Sequence, residues 1–231
     1  MKKLFKIGLL AVFFVMASCT TDADDEGDDW DAAKVCPETG TNAYGMPNRG
    51  EFTDARDGRV YKYTTIGDQV WMAENLKYEA ENSECKEVFD GFCEIFGRYY
   101  SLAADGKSTG TLDPEIVSKM CPSGWHVPTK EEWDVLFKTM GGAENEETAL
   151  RIKSSNFWGE GRNVGNNICS FKALPSGGFG DNKSYSSQYH ASVFAVNSIF
   201  SEYAYGCYDI ENSIVYERCW NKISIRCVKD N

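Results

Sequence analysis

The stretch CPSGWHVPTKEEWDVLFKTM, residues 121–140, carries the strongest local signal in the chain. Thr129 followed by Glu132 is typical of a capping box, in which the hydroxyl and the carboxylate each accept a hydrogen bond from a backbone N–H at the start of a helix. Apolar residues then recur at helical spacing: Trp133, Leu136, Phe137 and Met140. The pattern predicts an amphipathic helix that follows Thr129 and ends at Gly141-Gly142.

Extended segments flank this region on both sides. Residues 59–66 (RVYKYTTI) and 69–72 (QVWM) lie on either side of Gly67-Asp68 and predict a β-hairpin. Residues 146–153 predict a second helix. Short strands are predicted at SVFAV, SIVYE and ISIRCVK, which are residues 192–196, 213–217 and 223–229. Two helices among short strands and long loops indicate the α+β class.

Length and charge exclude several kinds of protein. The chain has 231 residues, with 24 Lys and Arg against 35 Asp and Glu, for a net charge of −11. That length suits one large domain with a tail. An acidic chain lacks the clustered cations that a nucleic-acid groove needs, so no nucleic-acid partner is expected.

The N-terminus predicts export. Residues 1–18 combine three early lysines with an apolar run at 7–16 that is too short to span a bilayer. Together with Cys19 they resemble a bacterial lipoprotein signal, which implies lipid attachment at Cys19 and a membrane contact through that lipid. The alternative is ordinary signal cleavage with Cys19 as a bystander.

An acidic segment follows the predicted lipid site. Seven carboxylates fall within residues 22–31, so residues 19–45 are predicted to form a flexible tether and residues 46–231 the domain. The spacing from Asp22 partly matches a calcium loop, but Ala33 stands where a bidentate Glu is required. The run also resembles a surface-export signal, and the expected location is the bacterial outer membrane, exposed at the cell surface.

Eight cysteines remain once Cys19 is set aside, an even number that predicts a disulfide framework in an exported protein. Their spacings contain no Cys-x-x-Cys pair, and no metal site is predicted. Cys85 and Cys93 are close enough in sequence to form a local bond. From the residues alone, eight cysteines allow 105 pairings.

Six blocks together resemble the Fibrobacter succinogenes major paralogous domain: DGRVYKYTTIGDQVWMAENLKY (57–78), FGRYYSLAA (96–104), CPSGWHVPTKEEWDVL (121–136), LRIKSSNFW (150–158), FKALPSGGF (171–179) and ISIRCVKD (223–230). The family is placed by resemblance with formylglycine-generating enzymes and C-type lectins. The resemblance therefore implies a C-type-lectin-like α+β fold with disulfides. Residues 191–199 depart from the Trp-Ser-Ser-Thr run that the family usually shows.

The C-type-lectin resemblance also implies two specific disulfides. One is Cys121–Cys227, joining the first helix region to the last strand, and the other is Cys207–Cys219, closing the loop before it. With Cys85 and Cys93 assigned to each other, Cys36 and Cys169 are left as a pair by elimination only.

No catalytic residue is predicted. Formylglycine-generating enzymes use reactive cysteines, whereas every cysteine here has a plausible partner, and no hydrolase or nucleotide motif occurs. His126 and His190 are interpreted as structural or solvated. Trp220-Asn221 resembles part of the calcium-dependent sugar motif of C-type lectins, but Lys222 supplies no oxygen ligand. No cofactor is expected.

Loop aromatics are the remaining candidates for ligand contact. Tyrosines in polar segments can stack on a sugar face; the predicted binding residues are Tyr185, Tyr189 and Tyr208. The alternative is that they pack on their own domain. The sequence thus predicts a lipid-anchored surface module that binds polysaccharide or another envelope ligand, without catalysis. Two alternatives stay open: an enzyme on a formylglycine-generating scaffold, and a structural or protein-binding envelope protein.

Overall fold

The structure is a computed structural model, which describes residues 30–86, 89–104, 111–158, 164–179, 185–186, 191–201, 204–211, 213–218 and 222–231. The predictions for the signal segment, Cys19 and residues 20–29 lie outside these ranges, as do those for Tyr189, His190, Cys219 and Trp220-Asn221. No helix in the described ranges is long and apolar enough to cross a membrane.

In the described residues the chain forms five helices and thirteen strands. The helices are α1 (Ala32–Val35), α2 (Phe92–Phe96), α3 (Pro114–Met120), α4 (Lys130–Thr139) and α5 (Glu146–Ile152). The strands are β1 (Arg49–Thr53), β2 (Val60–Ile66), β3 (Gln69–Met72), β4 (Ser83–Glu84), β5 (Tyr99–Tyr100), β6 (Trp125–His126), β7 (Gly178–Phe179), β8 (Tyr185–Ser186), β9 (Ser192–Ser201), β10 (Ala204–Ile210), β11 (Ile214–Arg218), β12 (Lys222–Ile223) and β13 (Val228–Lys229). The predicted α+β class is confirmed.

The first sheet has the antiparallel order β1-β2-β3-β13-β6. The predicted hairpin is confirmed as β2 and β3, with Ile66 opposite Gln69 across a two-residue turn. Gly67 takes a φ of 57° there, which the first position of such a tight turn favours. This sheet brings the N-terminal and C-terminal parts of the domain together.

Two more sheets complete the described part of the fold, in the orders β11-β10-β9 and β4-β5-β12-β7-β8. The prediction of one strand over residues 223–229 is wrong, because β12 belongs to the third sheet and β13 to the first. Between them the backbone pairs with different segments: Ser224 accepts from Ala195, and Ile225 accepts from Leu76. A single ladder cannot form where neighbouring residues serve different partners.

Helix α4 forms as predicted. The Thr129 hydroxyl accepts from the Glu132 N–H at 3.2 Å, and the Glu132 carboxylate accepts from the Thr129 N–H at 2.8 Å, which completes the capping box. The four apolar residues of the predicted stripe are all buried. The second predicted helix is confirmed as α5.

The Trp133 ring of α4 joins two of the sheets. Its centroid lies 4.8 Å from that of Trp71 on β3 and 5.4 Å from that of Phe194 on β9. Phe171, from the loop after α5, packs edge-on against it at 6.0 Å. These buried rings contribute much of the apolar area that holds the helix on the sheets.

The prediction of two helices is incomplete, because α1, α2 and α3 were not foreseen. They have only four, five and seven residues, so each offers at most two helical turns in which an apolar repeat can show. Asp31 and Asp113 cap α1 and α3 through their carboxylates. Helix α2 is fixed instead by buried Phe92 and Phe96 and by its disulfide.

The predicted end of the tether, at residue 45, is also wrong. The Trp30 indole N–H donates to the Thr139 carbonyl at 2.9 Å, and Cys36 is 2% exposed. Cys36 is bonded to Cys169 across 133 residues of sequence. Residues 30–45 therefore pack on the domain, because a covalent bond and an indole contact hold them there.

Three disulfides are defined in the described ranges. Cys121–Cys227 is the bond that the C-type-lectin resemblance implies, Cys85–Cys93 is the local bond, and Cys36–Cys169 is the pair left by elimination. Cys207 is disulfide-bonded as well. The framework ties the start of the domain to its middle, and its middle to its end.

We predict that the long bond stabilises the fold more than the short one. Because Cys121–Cys227 spans 106 residues, the Cys121→Ala/Cys227→Ala variant should lose about 4–5 kcal/mol of unfolding free energy in the chain-entropy account. The Cys85→Ala/Cys93→Ala control, with a separation of 8, should lose about 2–3 kcal/mol. Urea denaturation measures both, and equal losses would contradict the assignment.

Candidate functional site

A polar groove of about 550 Å³ opens beside the β1–β2 edge of the first sheet. Its described lining comes from five separate segments of the chain: Arg49, Gly50, Glu51, Lys62, Tyr63, Ala73, Glu74, Ser154, Ser155, Asn156, Asn167, Ser170 and Lys172. We call this the β1–β2 groove. Its volume suits a ligand of a few sugar rings or a comparable small molecule.

Strands β1 and β2 form one side of the groove. Gly50 lies opposite Tyr63 in the strand register, and a Cβ at position 50 would stand 2.6 Å from the Tyr63 hydroxyl. Glycine is therefore required for the tyrosine ring to lie across β1. Burial raises the pKa of Tyr63, and the residue is only 6% exposed. The groove thus offers little aromatic face for stacking.

The opposite side is a loop with an unusual backbone. Asn167, Ser170 and Lys172 have φ values of 52°, 58° and 57°, in the left-handed region. For residues other than glycine this conformation costs about 1 kcal/mol or more each, although asparagine tolerates it better. We call residues 164–172 the wall loop. Strained backbone of this kind persists only where neighbouring structure holds it, and it clusters at functional sites.

Several contacts fix the wall loop. Cys169 carries the bond to Cys36, and its carbonyl accepts from the Thr64 hydroxyl at 2.6 Å. The Arg49 guanidinium donates to the Ile168 carbonyl at 3.1 Å. The Lys172 N–H donates to the Asn167 side chain at 2.7 Å. The loop is therefore held to β1, β2 and the N-terminal segment before any ligand arrives.

Arg226 supports the same loop from inside the domain. Its side chain is fully buried, and its guanidinium donates to the Asn75 side chain and to the carbonyls of Met72, Phe171 and Lys172. Burial lowers the pKa of Arg226 to about 9, while the nearby Glu74 charge opposes that change. The group therefore stays charged at neutral pH and holds the end of the wall loop in place.

The chemistry of the groove favours a ligand rich in hydrogen-bonding groups. Ser154, Ser155 and Ser170 bring hydroxyls, Asn156 and Asn167 bring amides, and the charged residues add donors and acceptors. Within the described ranges no group of three or more His, Cys, Asp or Glu side chains is placed to hold a metal ion. The lining of the groove therefore suits recognition by hydrogen bonds and charge.

His126 forms a second polar cluster, at the N-terminus of α4. Its Nδ1 lies 2.7 Å from Asp230 Oδ1, and its Nε2 lies 2.8 Å from Glu132 Oε1. A neutral imidazole donates through one nitrogen only, so both contacts are satisfied by the protonated ring. The hydrogen bond to Glu132 raises the pKa of His126, burial opposes the rise, and the hydrogen bond to Asp230 adds to it.

This geometry makes His126 a structural link, as the sequence interpretation holds. Both ring nitrogens are engaged by carboxylates, which leaves neither nitrogen to act on a substrate. The link joins the capping residue of α4 to the segment after β13. Its strength depends on the charge of the ring.

We predict a stability change with pH that depends on His126. Because its folded pKa lies above the ordinary value of 6.5, its stabilisation is complete below that pH and is lost as the pH rises through the folded pKa. His126→Gln should flatten this decline in unfolding free energy, measured by urea denaturation across the pH series. His190→Gln, at the chain's other histidine, is the control.

Asp209 titrates in the same range, since burial raises its pKa to about 7, so the readout is the difference between wild type and His126→Gln. An equal decline in these two proteins would contradict the link.

Tyr208 is not a surface ligand residue. It is 3% exposed, its ring packs edge-on against Phe137 at 4.8 Å, and its hydroxyl donates to Asp134. Tyr208 lies on β10, where strand alternation turns it toward α4. The prediction that it binds ligand is therefore corrected. For Tyr185 the structure gives only the backbone, on β8, and its predicted role stays a prediction.

The sequence interpretation did not foresee the groove residues. Lys62 and Tyr63 fall inside the predicted hairpin, and Ser154 to Asn156 fall inside a recognised block, yet no local pattern connects these segments. The polar run Lys-Ser-Ser-Asn at 153–156 was the available hint, because it follows a helix and breaks the apolar repeat.

The chain matches a known family model over most of its length. The model of the Fibrobacter succinogenes major domain matches residues 64–229, a range that contains α4, the wall loop and Arg226. Searches of curated proteins and of solved structures find no match.

Proposed function

The chain belongs to the Fibrobacter succinogenes major domain family, and from that premise we propose that it is a surface binding module whose ligand, a polysaccharide, lies in the β1–β2 groove. The proposal rests on the pre-formed wall loop. Three of its residues have a left-handed backbone, and the loop lines the groove together with hydroxyl, amide and charged side chains. A rigid polar groove loses little entropy when it binds a flexible polyhydroxyl chain.

The N-terminal sequence supports display at the cell surface. Lipidation at Cys19 would anchor the chain in the bacterial outer membrane, and the acidic residues 20–29 would separate the domain from that membrane. A C-type-lectin-like architecture, close to that of formylglycine-generating enzymes, is part of the same proposal and rests on the resemblance of the sequence blocks.

Binding is favoured over oxidase chemistry by the state of the cysteines. All seven cysteines in the described ranges are disulfide-bonded: Cys36, Cys85, Cys93, Cys121, Cys169, Cys207 and Cys227. A reactive thiolate requires a free and activated cysteine. In this part of the chain the cysteines stabilise the fold through disulfide bonds instead.

The proposal predicts binding to at least one member of a panel of soluble and insoluble polysaccharides. Ser155→Ala/Asn156→Ala removes two exposed polar side chains from the groove and should weaken that binding about tenfold, since each lost hydrogen bond contributes about 0.5–1.5 kcal/mol. Co-sedimentation and calorimetry with the full chain measure the affinity.

Ser118→Ala/Ser123→Ala, at exposed positions outside the groove, is the matched control and should bind as wild type does. Tyr185→Ala/Tyr189→Ala in the same assay tests the predicted loop tyrosines. If the groove variant binds as tightly as wild type, the groove is not the site. If no polysaccharide binds, the proposed function fails.

A further inference from the structure

The β1–β2 groove has a charge opposite to that of the whole chain. Its described lining contains three cations, Arg49, Lys62 and Lys172, against two carboxylates, Glu51 and Glu74. The complete sequence has 35 acidic against 24 basic residues. The groove therefore carries a net positive charge, although the protein as a whole is acidic.

Internal pairing neutralises only some of these charges. Arg49 pairs with Glu38 at 3.0 Å, and Glu74 lies 3.7 Å from Lys77. Lys62 and Lys172 are exposed and form no salt bridge with any described residue, although Lys62 is the cross-strand partner of Glu51. No described carboxylate therefore forms a salt bridge with either ammonium group, and both can contact an anionic ligand.

The buried charge of Arg226 adds to this potential from behind the groove. Its guanidinium is hydrogen-bonded to carbonyl and amide oxygens, and no carboxylate in the described ranges accepts from it. One of those carbonyls belongs to Lys172 of the wall loop. Glu74, which lines the groove, is the carboxylate whose charge acts on Arg226. Because a low-dielectric interior screens poorly, the field of this cation reaches the groove.

We propose that the polysaccharide bound in the groove is anionic, with its carboxylate or sulfate groups contacting Lys62 and Lys172. This inference rests on the proposed function and specifies the class of its ligand. The hydroxyls and amides of Ser155 and Asn156 would bind the sugar hydroxyls, while the two ammonium groups bind the acidic substituents.

The net negative charge of the protein suppresses non-specific binding of anionic polymers. A chain with a net charge of −11 repels polyanions in general, so non-specific attraction does not mimic the expected binding. Attraction has to come from a local site with charges of opposite sign. Its strength should fall as salt screens the exposed lysines.

The test uses polymer pairs that differ only in charge. Polygalacturonate is compared with its methyl ester, and dextran sulfate with dextran, by calorimetry on the full chain. We expect at least one anionic polymer to bind about tenfold or more tightly than its neutral counterpart, and to weaken as ionic strength rises. The two pairs separate carboxylate from sulfate recognition.

A charge-matched pair of variants locates the site. Lys62→Gln/Lys172→Gln should lose about tenfold or more in affinity for the anionic polymer, because two charge-assisted contacts are removed. Lys34→Gln/Lys138→Gln changes the net charge equally at exposed positions outside the groove and should bind as wild type does. Circular dichroism confirms that both variants are folded.

Different failures have different meanings. If neutral polymers bind the groove as tightly as anionic ones, or if both lysine pairs reduce binding equally, this inference is overturned and the proposed function stands. If no polymer of either charge binds, both are overturned.

Discussion

The hydrogen bonds of the Arg226 guanidinium are the interaction on which the groove depends. This fully buried cation has no carboxylate partner among the described residues, so its N–H groups have to find other oxygens, or the fold loses several kcal/mol. The acceptors come from the end of β3, from Asn75 and from the segment at Phe171 and Lys172. The guanidinium also lies over the Phe171 and Phe194 rings, at 4.6 and 5.2 Å. The hydrogen bonds of this one side chain thus fix three parts of the chain relative to each other.

The same constraint explains how a strained wall loop persists. Arg226 holds the loop at its end, and the Cys36–Cys169 bond holds it near its middle. Between these points the left-handed backbone of Ser170 has no freedom to relax to an ordinary conformation. The loop can then present its polar groups to a ligand without first being ordered by it. The same buried arginine therefore packs in the core and holds the loop that would bind the ligand. Its position also adds positive charge behind the groove.

The sequence predicts those features that are encoded locally. Helix α4 follows from its capping box and apolar stripe, and the β2–β3 hairpin follows from Gly67-Asp68 between two extended runs. The groove could not be predicted in this way, because its five segments meet through sheet pairing, long-range hydrogen bonds, a disulfide and a buried arginine, none of which has a local sequence pattern. The prediction for Tyr208 is wrong because the polar, glycine-containing sequence around it resembles a loop, whereas its ring packs in the core beside α4. The positive charge of the groove could not be predicted either, because the composition of the whole chain is acidic.

Amide hydrogen exchange in Arg226→Lys tests most directly whether Arg226 holds the wall loop. Lysine keeps the charge but has three donors on one atom, so it cannot reach the separated acceptors together. We predict that exchange at the Lys172 and Ala173 amides, which are hydrogen-bonded in the wild type, speeds up about tenfold or more. Exchange at the Trp133 and Met140 amides of the α4 region should stay unchanged. Unchanged exchange at Lys172 and Ala173, or an equal increase at all four amides, would show that Arg226 does not hold the wall loop.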